Sequence, residues 1–284
     1  MRVLVIGASG MIGSTIFRVL SEDDSLSVYG AVRNADSRQC FNAEARERII
    51  SSGDLLFDNN LIRLIEHTSP DAIINCAGVT KHLPESSDPL ISIPMNAVFP
   101  HKLESMCNVA SARLVHISTD CVFSGRAGNY TEEDVTDSVD LYGRSKALGE
   151  VVGKNSVTLR TSTIGHEFSS TYGLLEWFLA QEGLCYGYAK AYFSGLPTVV
   201  FAEIIRDQVL PNSNLTGLYN VAAKRISKFD LLNMIADVYK KTIEIIPNNE
   251  FSIDRSLDAG KFLRDTGYSA PEWQDMIDTM YKFK

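Results

Sequence analysis

Short apolar runs alternate with amphipathic stretches through the first half of this 284-residue chain. The β-rich runs Arg2–Ile6, Leu26–Val32, Arg48–Ser51, Ala72–Asn75, Leu114–Ser118 and Ser156–Arg160 read as strands. Helical patterns lie between them, near Met11–Leu20, Asn60–His67, Ile91–Ala110 and Tyr142–Gly153. Such alternation predicts a parallel sheet covered by helices on both faces, the α/β class. Pro70 and Asp71 mark the turn that feeds the fourth strand. After Arg160 the rhythm breaks. Helical stretches near Tyr172–Gln181, Val199–Gln208, Lys228–Lys240 and Pro271–Met280 alternate with short strands, Leu218–Val221 and Thr242–Ile246. This pattern predicts a smaller α/β lobe capping the carboxyl ends of the sheet, where open α/β sheets bind ligands. The expected division is a dinucleotide-binding unit over 1–161 and a mainly substrate-binding lobe over 162–284, with segments of the latter returning to the main sheet.

Composition narrows the function. With 45% hydrophobic residues the chain can bury a substantial core. A formal charge of −8 and a pI near 5.2 argue against a nucleic-acid surface, while leaving room for local basic pockets. Met1 leads at once into Arg2-Val3-Leu4-Val5-Ile6, too short for a signal peptide, and no run reaches the ~18 apolar residues of a spanning helix. A cytoplasmic protein with no membrane partner is expected. Five cysteines, Cys40, Cys76, Cys107, Cys121 and Cys185, show no CxxC pair, and the five histidines form no HxxxH or HExxH pattern. Reduced thiols and no bound metal are the expectation.

The first strand runs into Gly7-Ala8-Ser9-Gly10-Met11-Ile12-Gly13, a GxxGxxG pattern that opens a helix. Gly7 permits the tight turn, Gly10 lets the backbone approach a pyrophosphate, and Gly13 lets helix and strand pack closely. Phosphates then sit at a helix N-terminus, held by unpaired N–H groups, with Ser9, Met11 and Ile12 lining the turn. A Rossmann doubly wound parallel sheet follows from this context. About 20 residues past the last glycine the second strand ends at Arg33, where sites preferring NAD place an acid for the ribose 2′-hydroxyl. An arginine there pairs instead with a 2′-phosphate, so NADPH is the expected cofactor, NADH being the other one the pattern allows. Asp54, where the third strand ends, reads equally as an acceptor for the adenine amine or as a helix-start residue.

Tyr142-Gly143-Arg144-Ser145-Lys146 is a YxxxK pattern, which stacks phenol and ammonium on one helical face. A neighbouring ammonium favours the ionised phenol, and a tuned phenol can protonate a carbonyl oxygen as hydride arrives. Lys146 would also reach the nicotinamide ribose. The preceding strand ends at Thr119-Asp120, which places a hydroxyl at the same sheet edge to hydrogen-bond the substrate oxygen. Thr119, Tyr142 and Lys146 are therefore the candidate catalytic residues.

Together these residues resemble the extended short-chain dehydrogenase/reductase family, and within it the chain is similar to dTDP-4-dehydrorhamnose reductases and related nucleotide-sugar 4-ketoreductases. The likeness rests on Asn75-Cys76-Ala77-Gly78, on Asn96, on the run from Ile117 to Gly125, on Leu141 to Glu150, on Leu159-Arg160-Thr161-Ser162 and on Ser194 to Thr198. It implies that Cys76, Ala77 and Gly78 line the cofactor and that Asn96 is mainly structural. It implies NADPH-dependent reduction of the C4 ketone of a dTDP- or UDP-linked 4-keto-6-deoxyhexose, a step in making deoxysugars for surface polysaccharide. Related dehydratases carry Thr-Asp-Glu, where the glutamate abstracts a proton; Cys121 stands there in this chain, so dehydration is not expected.

Cys121 also replaces a tyrosine common in the rhamnose reductases, and Ile253-Asp254-Arg255-Ser256-Leu257-Asp258 lacks the proline of the family's late motif. Both departures leave the nucleotide and the sugar open. Candidate substrate contacts are Thr119, Asp120, Val122, Thr163, Glu167, Trp177 and Arg255, with His166 a weaker one; Arg255 would meet the substrate diphosphate. Two other functions remain on the page, an NAD-dependent nucleotide-sugar epimerase and a non-catalytic dinucleotide-binding regulatory protein. Helices such as Ile91–Ala110 and Tyr142–Gly153 are compatible with a homodimer and equally with core packing.

Overall fold

A computed structural model describes residues 1–81, 83–167 and 172–284. Its strands are β1 (Arg2–Ile6), β2 (Ser27–Val32), β3 (Ile49–Ser51), β4 (Ala72–Asn75), β5 (Arg113–Thr119), β6 (Ser156–Thr161), β7 (Thr163–Ile164), β8 (Leu184–Phe193), β9 (Leu196–Pro197), β10 (Gly217–Asn220), β11 (Ile226–Ser227) and β12 (Glu244–Asp254). The helices are α1 (Met11–Ser21), α2 (Ala43–Arg46), α3 (Asp58–Thr68), α4 (Pro89–Ser92), α5 (Phe99–Ala110), α6 (Leu141–Leu148), α7 (Leu174–Ala180), α8 (Thr198–Ile204), α9 (Lys228–Tyr239), α10 (Gly260–Thr266) and α11 (Trp273–Lys282).

Seven strands form one sheet in the order β10-β6-β5-β4-β1-β2-β3, parallel at every pairing. Alternate residues of β1 leave it on opposite sides. Val3 and Val5 join the core that contains Phe17, Phe201 and Ile277, whereas Leu4 and Ile6 join Leu61, Phe99 and Leu103. Period-2 side chains on a sheet covered from both sides explain why these strands read as nearly continuous apolar runs. The chain crosses from the β3 edge to β4 beside β1, so the topological switch lies between β1 and β4. Crevices at such points, outside the carboxyl ends of the strands, are where ligands bind.

From the second half, β10 returns to this sheet beside β6, Gly217 to Asn220 pairing with Val157 to Arg160. The remaining strands build a separate three-stranded sheet, β11-β8-β12, and a small β7-β9 pair. The ten-residue strand β8 is absent from the sequence reading. Its pattern is inverted: Leu184, Tyr186 and Tyr188 face outward while Cys185, Gly187 and Ala191 are buried. The buried face needs small residues because α9 lies so close that a Cβ at Gly187 would sit 2.9 Å from the Phe229 Cα.

Two helices also differ from expectation. The single helix read over Ile91–Ala110 is α4, a π-helical stretch at Ile93–Val98 and then α5. Pro94 and Pro100 have no N–H to donate within that run, and the register shifts between them. The helix read over Tyr142–Gly153 stops at Leu148, because Gly149 packs against the carbonyl of Asn96 with no room for a side chain.

Candidate active site

The glycine loop after β1 and the loop after β4 touch at the switch point. Gly7 has φ +81°, and a Cβ there would lie 2.8 Å from the Ala77 nitrogen. Gly13 packs on the Gly7 carbonyl, which seats α1 against the end of β1. Gly10 caps α1 without a side chain, so the first N–H groups, those of Met11 and Ile12, point out of the helix with no internal acceptor. An anion is the natural partner for such a terminus. Ser9 lies half-buried in the turn itself. At the end of β2, Arg33 is exposed, and among the described residues its guanidinium has no hydrogen bond or ion pair. These features fit a phosphorylated dinucleotide. Asp54 is exposed in the turn before α3, where its Oδ1 accepts the Leu56 N–H at 2.9 Å. Phe57 rather than Asp54 caps the helix, so the helix-start reading of Asp54 gives way to a turn.

The β4 loop is held from below. Asn75 Oδ1 accepts the Ala77 N–H at 3.1 Å, which leaves its amide to donate to His116 Nδ1, also at 3.1 Å. Burial holds His116 well below the usual histidine range, which favours the uncharged ring that can accept at Nδ1. Asn96, buried in the π-helical stretch, accepts the Val79 N–H at 2.8 Å. It donates to the Val79 carbonyl at 3.0 Å and to Ser145 Oγ at 3.2 Å. One amide thus ties the cofactor-side loop to α6, which carries the YxxxK residues.

Asp140 caps α6 by accepting the Gly143 N–H at 2.8 Å. Gly143 packs against the Cys121 carbonyl and Ser138, so the start of the helix is pressed onto the end of β5. This brings Tyr142 over Thr119, Asp120 and Cys121. Burial raises the phenol above its ordinary range; neighbouring Cys121 adds to the shift, and a hydrogen bond with Thr119 partly offsets it. The sequence reading expected a lysine ammonium to lower the phenol. Instead Lys146 Nζ donates to the Ile117 carbonyl at 2.7 Å, and burial pushes the lysine itself down to about 8, with Glu150 pulling it back up in part. Desolvation is the largest cause at both groups, opposed at Lys146 by Glu150 and reinforced at Tyr142 by Cys121.

Behind the lysine sits a pair whose members both fall within the family-like strings but were given no role there. Arg160 meets Glu150 bidentately, Nε to Oε1 and Nη2 to Oε2, both at 2.7 Å, with side chains 4% and 9% exposed. Ser118 Oγ donates to the same carboxylate at 2.8 Å. Arg160 also stacks over Phe123, 5.0 Å from the ring centroid, next to Val122 and Tyr130. Spacing alone could not reveal this cluster, because its members come from β5, the end of α6 and β6.

The proposed substrate contacts fall into two groups. Thr119, Asp120 and Arg255 gather beside Tyr142; Arg255 donates to the Phe123 carbonyl at 2.8 Å and reaches Cys121 Sγ at 3.7 Å. Burial raises the Asp120 carboxyl, opposed by Arg255, and pushes the Cys121 thiol up to about 12. Val122 is fully buried in the Phe123–Tyr130–Leu257 cluster, so its side chain is spent on packing. Thr163 lies in the short β7. Glu167 accepts the Gly173 N–H at 2.8 Å and, with His166, lines a cavity against Ser14, Thr15 and Arg18. His166 joins Glu176 at 2.7 Å and the Tyr239 hydroxyl at 2.9 Å. Trp177, 37% exposed on α7, has no described contact with Tyr142. Among the described residues no cluster of three or more His, Cys, Asp or Glu could hold a metal ion, and no helix is long and apolar enough to cross a membrane.

Comparisons with known proteins agree with this geometry. Residues 1–181 match the family model described as the RmlD substrate binding domain. Over 153 residues the chain is 33% identical to a dTDP-4-dehydrorhamnose reductase of Mycolicibacterium smegmatis, covering 52% of this chain and 40% of that protein. The chain thus spans half or less of the curated relatives it first matches. A solved structure of a hypothetical dTDP-4-dehydrorhamnose reductase from Sulfolobus tokodaii is 28% identical. It superposes with a TM-score of 0.78 over 96% of this chain and 98% of that one. The Bacillus anthracis dTDP-4-dehydrorhamnose reductase in complex with NADP, 21% identical, shares the fold at a TM-score of 0.80 over 99% and 98% of the two chains. With the family model covering well over half of its length, the chain belongs to the RmlD substrate binding domain family.

Proposed function

We propose that this chain is an NADPH-dependent reductase of the C4 ketone of a nucleotide-linked 4-keto-6-deoxyhexose, with residues 1–161 serving the cofactor and 162–284 mainly the substrate. The reading gives the protein a place in cytoplasmic deoxysugar synthesis for surface polysaccharide. The observation that carries it is the meeting of Thr119, Tyr142 and Lys146 at the carboxyl end of β5, one strand over from the Gly7–Ala77 crevice.

Gly7, Ser9, Gly10, Met11 and Ile12 would hold the pyrophosphate, Arg33 the 2′-phosphate, and Cys76, Ala77 and Gly78 the inner wall; Asp54 would flank the adenine. When bound, NADPH supplies the hydride that reduces the carbonyl carbon. The chain supplies the proton. The phenol is protonated through the neutral range, as a donor to a carbonyl oxygen must be, and its upward shift leaves it a weaker acid than a free tyrosine. Thr119 fixes that phenol and orients the same oxygen. Lys146, pushed to about 8, lies near enough to neutrality to exchange a proton with the tyrosine between turnovers. A Cys121 thiol held near 12 is no base at neutral pH, which argues against dehydration. Arg33, free of partners and at the place where NAD-binding sites carry an acid, supports the reductase over an epimerase holding NAD.

The test is an NADPH-oxidation screen across dTDP- and UDP-linked 4-keto-6-deoxyhexoses, with product stereochemistry determined. Stoichiometric oxidation with one of them is expected. Oxidation with none, or interconversion of a substrate without NADPH consumption, would contradict the reading.

A further inference from the structure

The chain is acidic, yet cations collect on the substrate side of its cleft. Lys81, Lys228 and Arg255 face Asp120, Cys121 and Asp140. Three positive groups against the two carboxylates, Asp120 and Asp140, leave one positive charge in excess.

Two of the three cations are engaged. Lys81 pairs with Asp140 at 2.9 Å. Arg255 is anchored through the Phe123 carbonyl and Cys121 Sγ. Lys228 is different. It is the first residue of α9 and half-buried, and among the described residues its Nζ makes no hydrogen bond and no ion pair. Asp120 is the strongest attractive charge on it, yet among the described residues no ion pair joins the two. The helix terminus itself is already satisfied, since Ser227 Oγ accepts the Asp230 N–H at 3.0 Å. What lacks a directly bonded partner is the lysine. A part-buried ammonium without one is costly, and the cost is recovered when an anion arrives with the ligand.

We propose that Lys228, together with Arg255, holds the diphosphate of the nucleotide sugar and so acts as a substrate-recognition residue. The inference rests on the nucleotide-sugar reading above. It adds a residue from the far lobe that no motif marks, and it locates the diphosphate on the Cys121–Arg255 side of Tyr142.

Calorimetric titration of the NADP-loaded protein with dTDP and with UDP tests it, using wild type, Lys228→Met and Lys228→Arg. Wild type should bind one of the two nucleotides. Lys228→Met should weaken that binding by about tenfold or more, as expected for losing a charge-assisted hydrogen bond. Lys228→Arg should restore most of it, and NADP affinity should stay constant throughout. Equal nucleotide affinity in wild type and Lys228→Met would overturn the assignment while leaving the reductase standing. Loss of NADP binding in Lys228→Met would show a structural role and overturn it too. If wild type bound neither nucleotide, both readings would fall.

Discussion

The two ends of the cleft are built by different means. On the cofactor side the features are backbone ones: a glycine at φ +81°, an uncapped helix terminus and two loops so close that a Cβ at Gly7 would lie 2.8 Å from the Ala77 nitrogen. On the substrate side, side chains from β5, α6, α9 and the end of β12 converge around Asp120 and Cys121, and Lys228 and Arg255 reach that group from outside its motifs. Backbone recognition forces particular residue types at fixed intervals, because only glycine tolerates the close approaches. Side-chain recognition needs only that some residue of the right charge arrive. The first kind is therefore legible along a chain, while the second yields candidates whose grouping becomes legible only in three dimensions.

The largest expected effect comes from the buried pair behind Lys146. Arg160→Met leaves the Glu150 carboxylate buried with only the Ser118 hydroxyl as a donor. Breaking such a pair costs on the order of 3–5 kcal/mol, and chemical denaturation should show a loss of that order. A change below about 1 kcal/mol, the scale of an exposed pair, would mean that the pair contributes no more than a surface contact.

Next in size is the proton donor. Tyr142→Phe should keep NADPH affinity and lower turnover by about 10²-fold or more; steady-state kinetics with unchanged turnover would remove the phenol from the chemistry. Smaller is the cofactor choice. Arg33→Asp should shift the ratio of kcat/KM values from NADPH toward NADH, by about tenfold or more for one charge-assisted contact, and an unmoved ratio would disconnect Arg33 from the 2′-phosphate.

The smallest effect concerns Lys146. Its value in the folded protein, about 8, lies below its unfolded value, so between about pH 8 and 10 the unfolded chain binds the extra proton. Stability contributed by this residue therefore rises with pH across that window. Wild type should gain in melting temperature relative to Lys146→Met from pH 8 to pH 10. A difference flat in pH would mean that the lysine is not desolvated.

The contrast also explains what sequence could and could not reveal. β1 and β4 appear with their read boundaries, and the Gly7 loop falls where its pattern requires, because parallel strands buried on both faces and phosphate loops have strict local chemistry. Tyr142 and Lys146 share one helix, so their spacing exposed them. Thr119 was found from its place at a strand end. The electrostatics were not legible: the expected lowering of the phenol depended on the direction of one ammonium, and Lys146 turns to the Ile117 carbonyl instead. β8 escaped because its aromatic residues face outward, reversing the pattern that marks a half-buried strand. The pairing of Glu150 with Arg160 escaped because the two lie in different elements, and Lys228 because only the fold brings it near Asp120 and Arg255. Glu167, on a cavity against α1, and Trp177, on α7, were chosen for chemistry within a plausible segment, and no described contact joins either to Tyr142.

A single-turnover experiment with NADPH deuterated at the transferred position meets the central claim most directly, scored by mass spectrometry of the nucleotide sugar. Wild type should place one deuterium on C4 of the sugar for each NADPH oxidised, while Tyr142→Phe should bind the cofactor and transfer none on the same timescale. Deuterium retained on the cofactor in wild type, or transferred equally well by Tyr142→Phe, would contradict the account.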